Sequence, residues 1–368
     1  MKKLEEYIVP WVRNSDPYGA DHLDFAWDHP ELIRMMSNEN PLQPSRRVLE
    51  AVGNAAAHAN LYPDSGQQLK KALAVRVGLH ADNVVLGNGS TDLISLVIAT
   101  VVSPGENVII PAPTFSMYAR RTRILGGVPV EIPLAETNYW DIDRILAAVD
   151  ESTKLVFLCS PNNPTGNLIA KRDVERILEL GIPTFFDEAY FELTLNETTW
   201  APRVLEFPHL MVSRTFSKAY GLAGLRLGYL FCAQSLANFL NRVKNPWNVS
   251  LLAYHAGLAA LEDEDARMER RDLIIGGREW LIDQVNRLPL IRAFESEGNY
   301  VLIDASSLGC SSSALVASLV ERGVLIRPMD SHGMENGYVR VTVGTPEENG
   351  TFIARFKDVV AQLSRTQS

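Results

Sequence analysis

Four stretches of the chain combine residue types that can do chemistry. The strand-like run LMVS (210–213) leads into RTFSKAYGLAGLRLGY (214–229), where small and hydroxyl residues surround Lys218 and Arg226 follows eight positions later. A lysine in such a loop is a candidate Schiff-base nucleophile; taken alone it also reads as a surface charge. Asp187 ends the apolar run of PTFFDEAY (183–190), with Tyr190 three residues on. Open α/β sheets place ligands beyond such strand ends, although an aspartate there can equally cap the next segment. SPNNPTG (160–166) follows the run KLVFLC, so Asn163 offers an amide at another strand end, unless the turn binds nothing. GNGSTD (87–92) leads from a strand into a helix, where open backbone N–H groups suit a phosphate. It is not a full G-x-G-x-x-G, because Asp92 holds the last position, and no Gly-Lys-Ser/Thr makes it a P-loop.

Regular elements must hold these loops. VVL (84–86), NVII (107–110), VPVEI (128–132), KLVFLC (154–159), PTFFD (183–187) and LGYLFC (227–232) read as strands, several of them apolar throughout as strands covered on both faces are. TDLISLVIATVV, DIDRILAAV (141–149) and AKRDVERILELG (170–181) read as helices between them. The alternation predicts an α/β layered domain with a largely parallel sheet. From about residue 262 the texture changes to a long charged helix through 288 that leaves the first domain. NYVLID (299–304), a helix through 312–322, VLIR (324–327), YVRVTVG (338–344) and a last helix from Pro346 then form a smaller α+β unit. The predicted division is 1–45 as an arm or part of the small domain, 46–262 as the large domain and 263–368 as the small one.

Composition bounds the function. A chain of 368 residues with 46% hydrophobic and 21% charged residues is ordinary for a folded protein of about two domains. Its net charge of −9 argues against a general nucleic-acid binder but leaves room for a local basic pocket. Cys159, Cys232 and Cys310 have neither a disulfide framework nor zinc spacing, so no metal is expected. MKKLEEYIVPWV breaks at Glu5 and Glu6 before any apolar run, and the best apolar run, LISLVIATVV (93–102), is too short to span a bilayer. The expectation is a cytoplasmic protein with no membrane and no nucleic-acid partner.

Order and spacing add what no single motif gives. SNENP (37–41), LYPD (61–64), GNGS, PTFSMY (113–118), SPNNPTG, DEAY, RTFSKA with GLAGLRLGY, and VRVTVGTPEEN (339–349) run through nearly the whole chain. In that order they resemble the aspartate-aminotransferase-like (fold type I) enzymes that use pyridoxal 5′-phosphate, and most closely the histidinol-phosphate aminotransferase branch. The resemblance implies a three-layer α/β/α large domain with a mainly parallel sheet plus a smaller α+β domain. It implies that Lys218 holds the cofactor and acts as base at the substrate Cα, and that Asp187 pairs with the pyridine nitrogen. Tyr190 and Asn163 would hydrogen-bond the ring oxygen, and Phe115 would cover the ring face or simply belong to the core. Arg226, Ser217, Thr215 and the amides of Ser90 and Thr91 would hold the cofactor phosphate.

The resemblance also assigns a substrate end. Arg340 matches the arginine that takes a substrate carboxylate, and Arg327 a second arginine that this branch uses, so the pair would take the phosphate of histidinol phosphate and the carboxylates of glutamate in turn. Asn40 and Tyr18 would lie in an arm that closes over substrate. Tyr62 falls where this family sends a tyrosine into the neighbouring subunit's phosphate site, which implies a homodimer with shared active sites; otherwise it is a tyrosine at a Pro-Asp turn. Two departures touch the substrate end: the turn reads GSTD where the branch usually has GSDE, and AWDHPELIRMM (26–36) is atypical. The reaction expected is histidinol phosphate with 2-oxoglutarate, with an aromatic amino acid aminotransferase or a threonine-phosphate decarboxylase as alternatives on the same fold. A nicotinamide-dependent oxidoreductase accounts for the α/β texture but not for RTFSKA with Arg226. A sensor fused to a regulator needs a DNA-binding region for which the chain has no room.

Overall fold

The computed structural model describes residues 3–17, 19, 21–135, 139–195, 198–330, 333–334 and 336–366. Its strands are β1 (Ile33–Arg34), β2 (Val84–Gly87), β3 (Asn107–Ala112), β4 (Val128–Pro133), β5 (Thr153–Cys159), β6 (Thr184–Asp187), β7 (Leu210–Thr215), β8 (Gly228–Cys232), β9 (Arg292–Ala293), β10 (Tyr300–Asp304), β11 (Val324–Leu325), β12 (Arg327–Pro328) and β13 (Tyr338–Thr342). Seven of them form a sheet in the order β2-β8-β7-β6-β5-β3-β4.

The apolar runs become buried strands because both sheet faces are covered. Along β5, Leu155, Phe157 and Cys159 enter one core and Val156 and Leu158 the other. Residues alternate across a strand, so a run that is apolar at every position needs a layer on each side. The pairings β3–β4, β3–β5, β5–β6 and β6–β7 are parallel. The sheet is thus mainly parallel, but LGYLFC departs from its neighbours: β8 runs antiparallel to both β7 and β2. No crossover helix separates β7 from β8, and a short return can only deliver an antiparallel strand.

A second core surrounds a four-stranded antiparallel sheet of order β12-β13-β10-β9. The helix Glu264–Asn286 carries Leu281, Ile282 and Val285 into this core. Met35 also belongs to it, and β1 pairs in parallel with β11. The segment just before SNENP is therefore tied to the smaller sheet, where Thr342 N donates to the Met35 carbonyl, and SNENP bridges the two cores, with Asn38 bonded both to Thr342 on β13 and to Tyr190 beyond β6. Among the described residues no helix is long and apolar enough to cross a membrane, and none group as a metal site.

Candidate active site

The C-terminal ends of β5, β6 and β7 converge on one cavity of about 460 Å³. Asp187, the last residue of β6, forms its floor and is 2% exposed. The Tyr118 hydroxyl donates to Asp187 Oδ2 at 2.7 Å, and the Ala189 N–H donates to Oδ1 at 3.0 Å. Burial pushes the Asp187 carboxyl up to about 6, against the pull of these two donors. The Tyr118 ring is fixed by stacking on Phe157 at 4.6 Å. Cys159, on the same floor, is pushed up to about 12 by burial, so it stays a thiol and is no nucleophile.

Lys218 lies in the loop beyond β7, partly buried. Its Nζ donates to the Asn38 carbonyl at 2.9 Å and to that of Ser37 at 3.4 Å. Burial, followed by the charge of Arg340, lowers its ammonium to about 7, which places the neutral amine within reach at ordinary pH. Tyr190 is 4% exposed and its hydroxyl accepts from Asn38 Nδ2 at 2.9 Å. Burial raises its phenol, so the hydroxyl remains a donor. Asn163 Oδ1 accepts from Arg340 Nη1 at 2.5 Å, and Arg340 Nη2 reaches the Met36 carbonyl at 2.8 Å. These bonds join the end of β5 to β13 and to the SNENP segment.

The opposite end of the cavity has the form of an anion cradle. Gly89, at φ 76°, turns the chain from β2 into the helix Ser90–Val101. A Cβ on Gly89 would run into the Arg226 guanidinium, and one on Gly228 would stand 2.7 Å from the Gly89 carbonyl carbon and 2.8 Å from the Ser90 nitrogen. Only glycines permit this approach. The helix N-terminus and Arg226 therefore face the same small space, with Thr215 and Ser217 (Oγ atoms 2.9 Å apart) beside it. The aspartate of GSTD turns away: Asp92 Oδ2 accepts from Asn88 N at 2.9 Å and Asn248 Nδ2 at 2.8 Å. A buried carboxyl, an amine and an anion cradle around one cavity fit pyridoxal phosphate, the group that the sequence resemblance implies.

The cavity also takes in Ser90, Thr91, Phe115, Arg327 and Arg340. Phe115 meets Tyr118 edge-on at 5.6 Å and packs against the core on that sheet face. Arg327 and Arg340 are register partners on β12 and β13. Asn40 is not on this cavity: it lines a neighbouring cleft, where its amide donates to the Lys218 carbonyl at 3.1 Å. Tyr62 also stands apart, 79% exposed and 4.7 Å from the Trp247 ring. Tyr18 lies outside the described residues. Sequence reasoning assigned no role to Tyr118, Asn38, Glu39 or His22, all of which line the cavity. PTFSMY and SNENP did contain the first three, and their position beside the motif residues was the available signal.

Both the sequence and the fold match known proteins. The pattern for "Aminotransferase class I and II" matches residues 30–356. Histidinol-phosphate aminotransferase 2 of Carboxydothermus hydrogenoformans is 38% identical over 99% of this chain and 100% of its own length. Histidinol-phosphate aminotransferase of Methanosarcina mazei is 38% identical over 89% of this chain and 88% of its own. The structure of histidinol-phosphate aminotransferase from Sinorhizobium meliloti in complex with pyridoxal-5′-phosphate superposes with a TM-score of 0.85 at 27% identity, covering 97% of this chain and 98% of that one.

Proposed function

We propose, from the premise that the chain belongs to the class I and II aminotransferases and to their histidinol-phosphate aminotransferase branch, that it transfers the amino group of histidinol phosphate to 2-oxoglutarate with pyridoxal phosphate as cofactor. The products are imidazole acetol phosphate and glutamate. The observation that carries the substrate assignment is the pairing of Arg327 with Arg340 across β12 and β13 on the wall of the cavity that holds Lys218. Two arginines at paired positions on one cavity suit a phosphate ester, and the same pair serves the carboxylates of glutamate.

When bound, pyridoxal phosphate supplies a conjugated ring that takes up the electron pair left by breaking the Cα–H bond. Lys218 holds the cofactor through Nζ, and the same nitrogen moves the Cα proton once substrate is seated. Its lowered affinity for protons keeps a useful fraction of the amine neutral near pH 7. Asp187 supplies the negative charge that keeps the ring nitrogen protonated, and Tyr118 and the Ala189 amide hold that carboxylate in place. Tyr190 and Asn163 orient the ring oxygen, and Phe115 covers the ring. Arg226, Thr215, Ser217 and the first amides of the Ser90–Val101 helix hold the phosphate. Asn40 steadies the Lys218 loop through the lysine carbonyl. The exposure of Tyr62 supports a place in a second subunit's phosphate site, and hence a homodimer. The free cysteines agree with a cytoplasmic enzyme.

A single half-reaction tests the reading. Histidinol phosphate added to the cofactor-loaded enzyme without a keto acid should convert the visible band to that of the amine form, and 2-oxoglutarate should restore it. Failure of histidinol phosphate, with conversion by phenylalanine or tyrosine, would reassign the enzyme to aromatic amino acids. Carbon dioxide release from threonine phosphate would make it a decarboxylase.

A further inference from the structure

The helix Asp21–Asp28, whose last turn enters the atypical AWDHPELIRMM segment, lines the active-site cavity with His22, Leu23 and Trp27. Leu23 and Ala26 pack with Met36 and Leu325, which docks the helix against β11 and the SNENP segment. That docking brings His22, partly buried, onto the same cavity as Arg327 and Arg340. We infer that His22 is a third member of the Arg327–Arg340 anion subsite, adding a charge-assisted hydrogen bond to a dianionic phosphate that a monoanionic carboxylate recruits less well. The inference rests on the assignment of this end of the cavity to a phosphate ester.

The charges that act on the imidazole explain why it discriminates. Burial lowers its proton affinity most, followed by Arg327; Arg340 lowers it further, while Asp21 and Asp24 on its own helix raise it. In the empty subsite burial and the two arginines therefore lower the ring's affinity for a proton. A dianion offsets their field and restores the ring's affinity for a proton, so binding takes one up. The bond then formed is between an imidazolium and an anion, the strong class of hydrogen bond. A carboxylate brings half the charge and draws the proton less.

Sulfate is the probe, because it stays doubly charged where phosphate itself titrates. Calorimetry on the cofactor-loaded enzyme, in which the cofactor's own phosphate fills the cradle, should show sulfate binding roughly tenfold more tightly at about pH 6 than at about pH 8. Runs in buffers of different ionisation heat should show proton uptake. His22→Gln should flatten the pH dependence, and His22→Lys, with a permanent charge, should bind tightly at both ends. The cofactor's visible band checks that each variant is assembled, and two variants keep the test decisive if one misfolds. A His22→Gln enzyme that retains the wild-type pH dependence, or a His22→Lys enzyme as pH-sensitive as wild type, overturns the inference. The two readings fail separately: a pH-dependent sulfate site lost in His22→Gln, in an enzyme inert to histidinol phosphate, upholds the subsite and rejects the substrate.

Discussion

Replacing Asp187 by Asn should stabilise the cofactor-free protein while it cripples the enzyme. The carboxyl is 2% exposed, and burial pushes it to about 6, some two pH units above an ordinary aspartate. A carboxyl whose folded-state pKa stands above its unfolded value binds a proton more readily when folded. Folding therefore loses stability as pH rises from about 4 through about 6, and above that window the full cost is present. At ~1.4 kcal/mol per pH unit the cost is ~3 kcal/mol. Asparagine removes it: Oδ1 still accepts from the Ala189 amide, and Nδ2 can donate to the Tyr118 oxygen in place of the bond now received from it. Urea denaturation of wild type and Asp187→Asn without cofactor, at about pH 4.5 and about pH 7.5, reads this directly. The variant should be the more stable by ~2–3 kcal/mol at the higher pH, with the gap closing at the lower. In the loaded enzyme it should transaminate slower by orders of magnitude, since the charge aids the transition state. A variant less stable than wild type at the higher pH, or a gap that does not change with pH, refutes the argument that this carboxylate is held at the expense of folding.

Other perturbations follow from the same geometry. The rate at which added pyridoxal phosphate is captured covalently by cofactor-free enzyme should rise with pH and level off just above 7, because the neutral Lys218 amine is the nucleophile; a rate still climbing tenfold per pH unit in the alkaline range contradicts this. Gly89→Ala should weaken cofactor retention about tenfold by displacing Arg226, on top of ~1–3 kcal/mol of backbone strain at φ 76° and ψ 171°, which a cofactor titration followed by tryptophan fluorescence measures. Arg214→Leu should cost ~3–5 kcal/mol in a urea melt, because it strands Glu188 and Glu192, at 2.8 and 3.4 Å from the guanidinium, as buried carboxylates. Arg340→Ala should raise KM for the anionic substrate in steady-state kinetics, since Arg340 lines the cavity as the register partner of Arg327.

Much of this was legible in the sequence because strand ends announce themselves. Asp187 closes an apolar run, Lys218, Asn163 and the glycines before Ser90 follow closely on others, and a mainly parallel sheet gathers such ends at one edge. The direction of β8 was not legible, since an apolar run has no polarity; only the connection decides it. Within SNENP the family resemblance points to Asn40, which holds the Lys218 carbonyl, whereas Asn38 bonds both Tyr190 and the Lys218 amine. Asn38 sits at φ 53°, outside any regular periodicity, so alternation could not say which of two nearby asparagines faces inward. Tyr118 escaped because its hydroxyl reaches Asp187 across 69 positions of sequence. His22 escaped because its helix is placed by contacts with Met36 and Leu325 rather than by any motif.

The lysine at the centre of the chemistry is also a fastening. Its Nζ holds the carbonyls of Ser37 and Asn38, and its own carbonyl is held by Asn40. A nitrogen committed to the cofactor has fewer protons to lend, so two of these three stitches slacken on loading while the third stays. Residues 37–40 are therefore a gauge of occupancy built into the polypeptide. The C=O stretching bands of isotope-labelled Ser37 and Asn38 should shift to higher wavenumber in loaded than in empty protein, because it is these carbonyls that lose a donor, and the change can be followed in a mixture, without colour and without turnover.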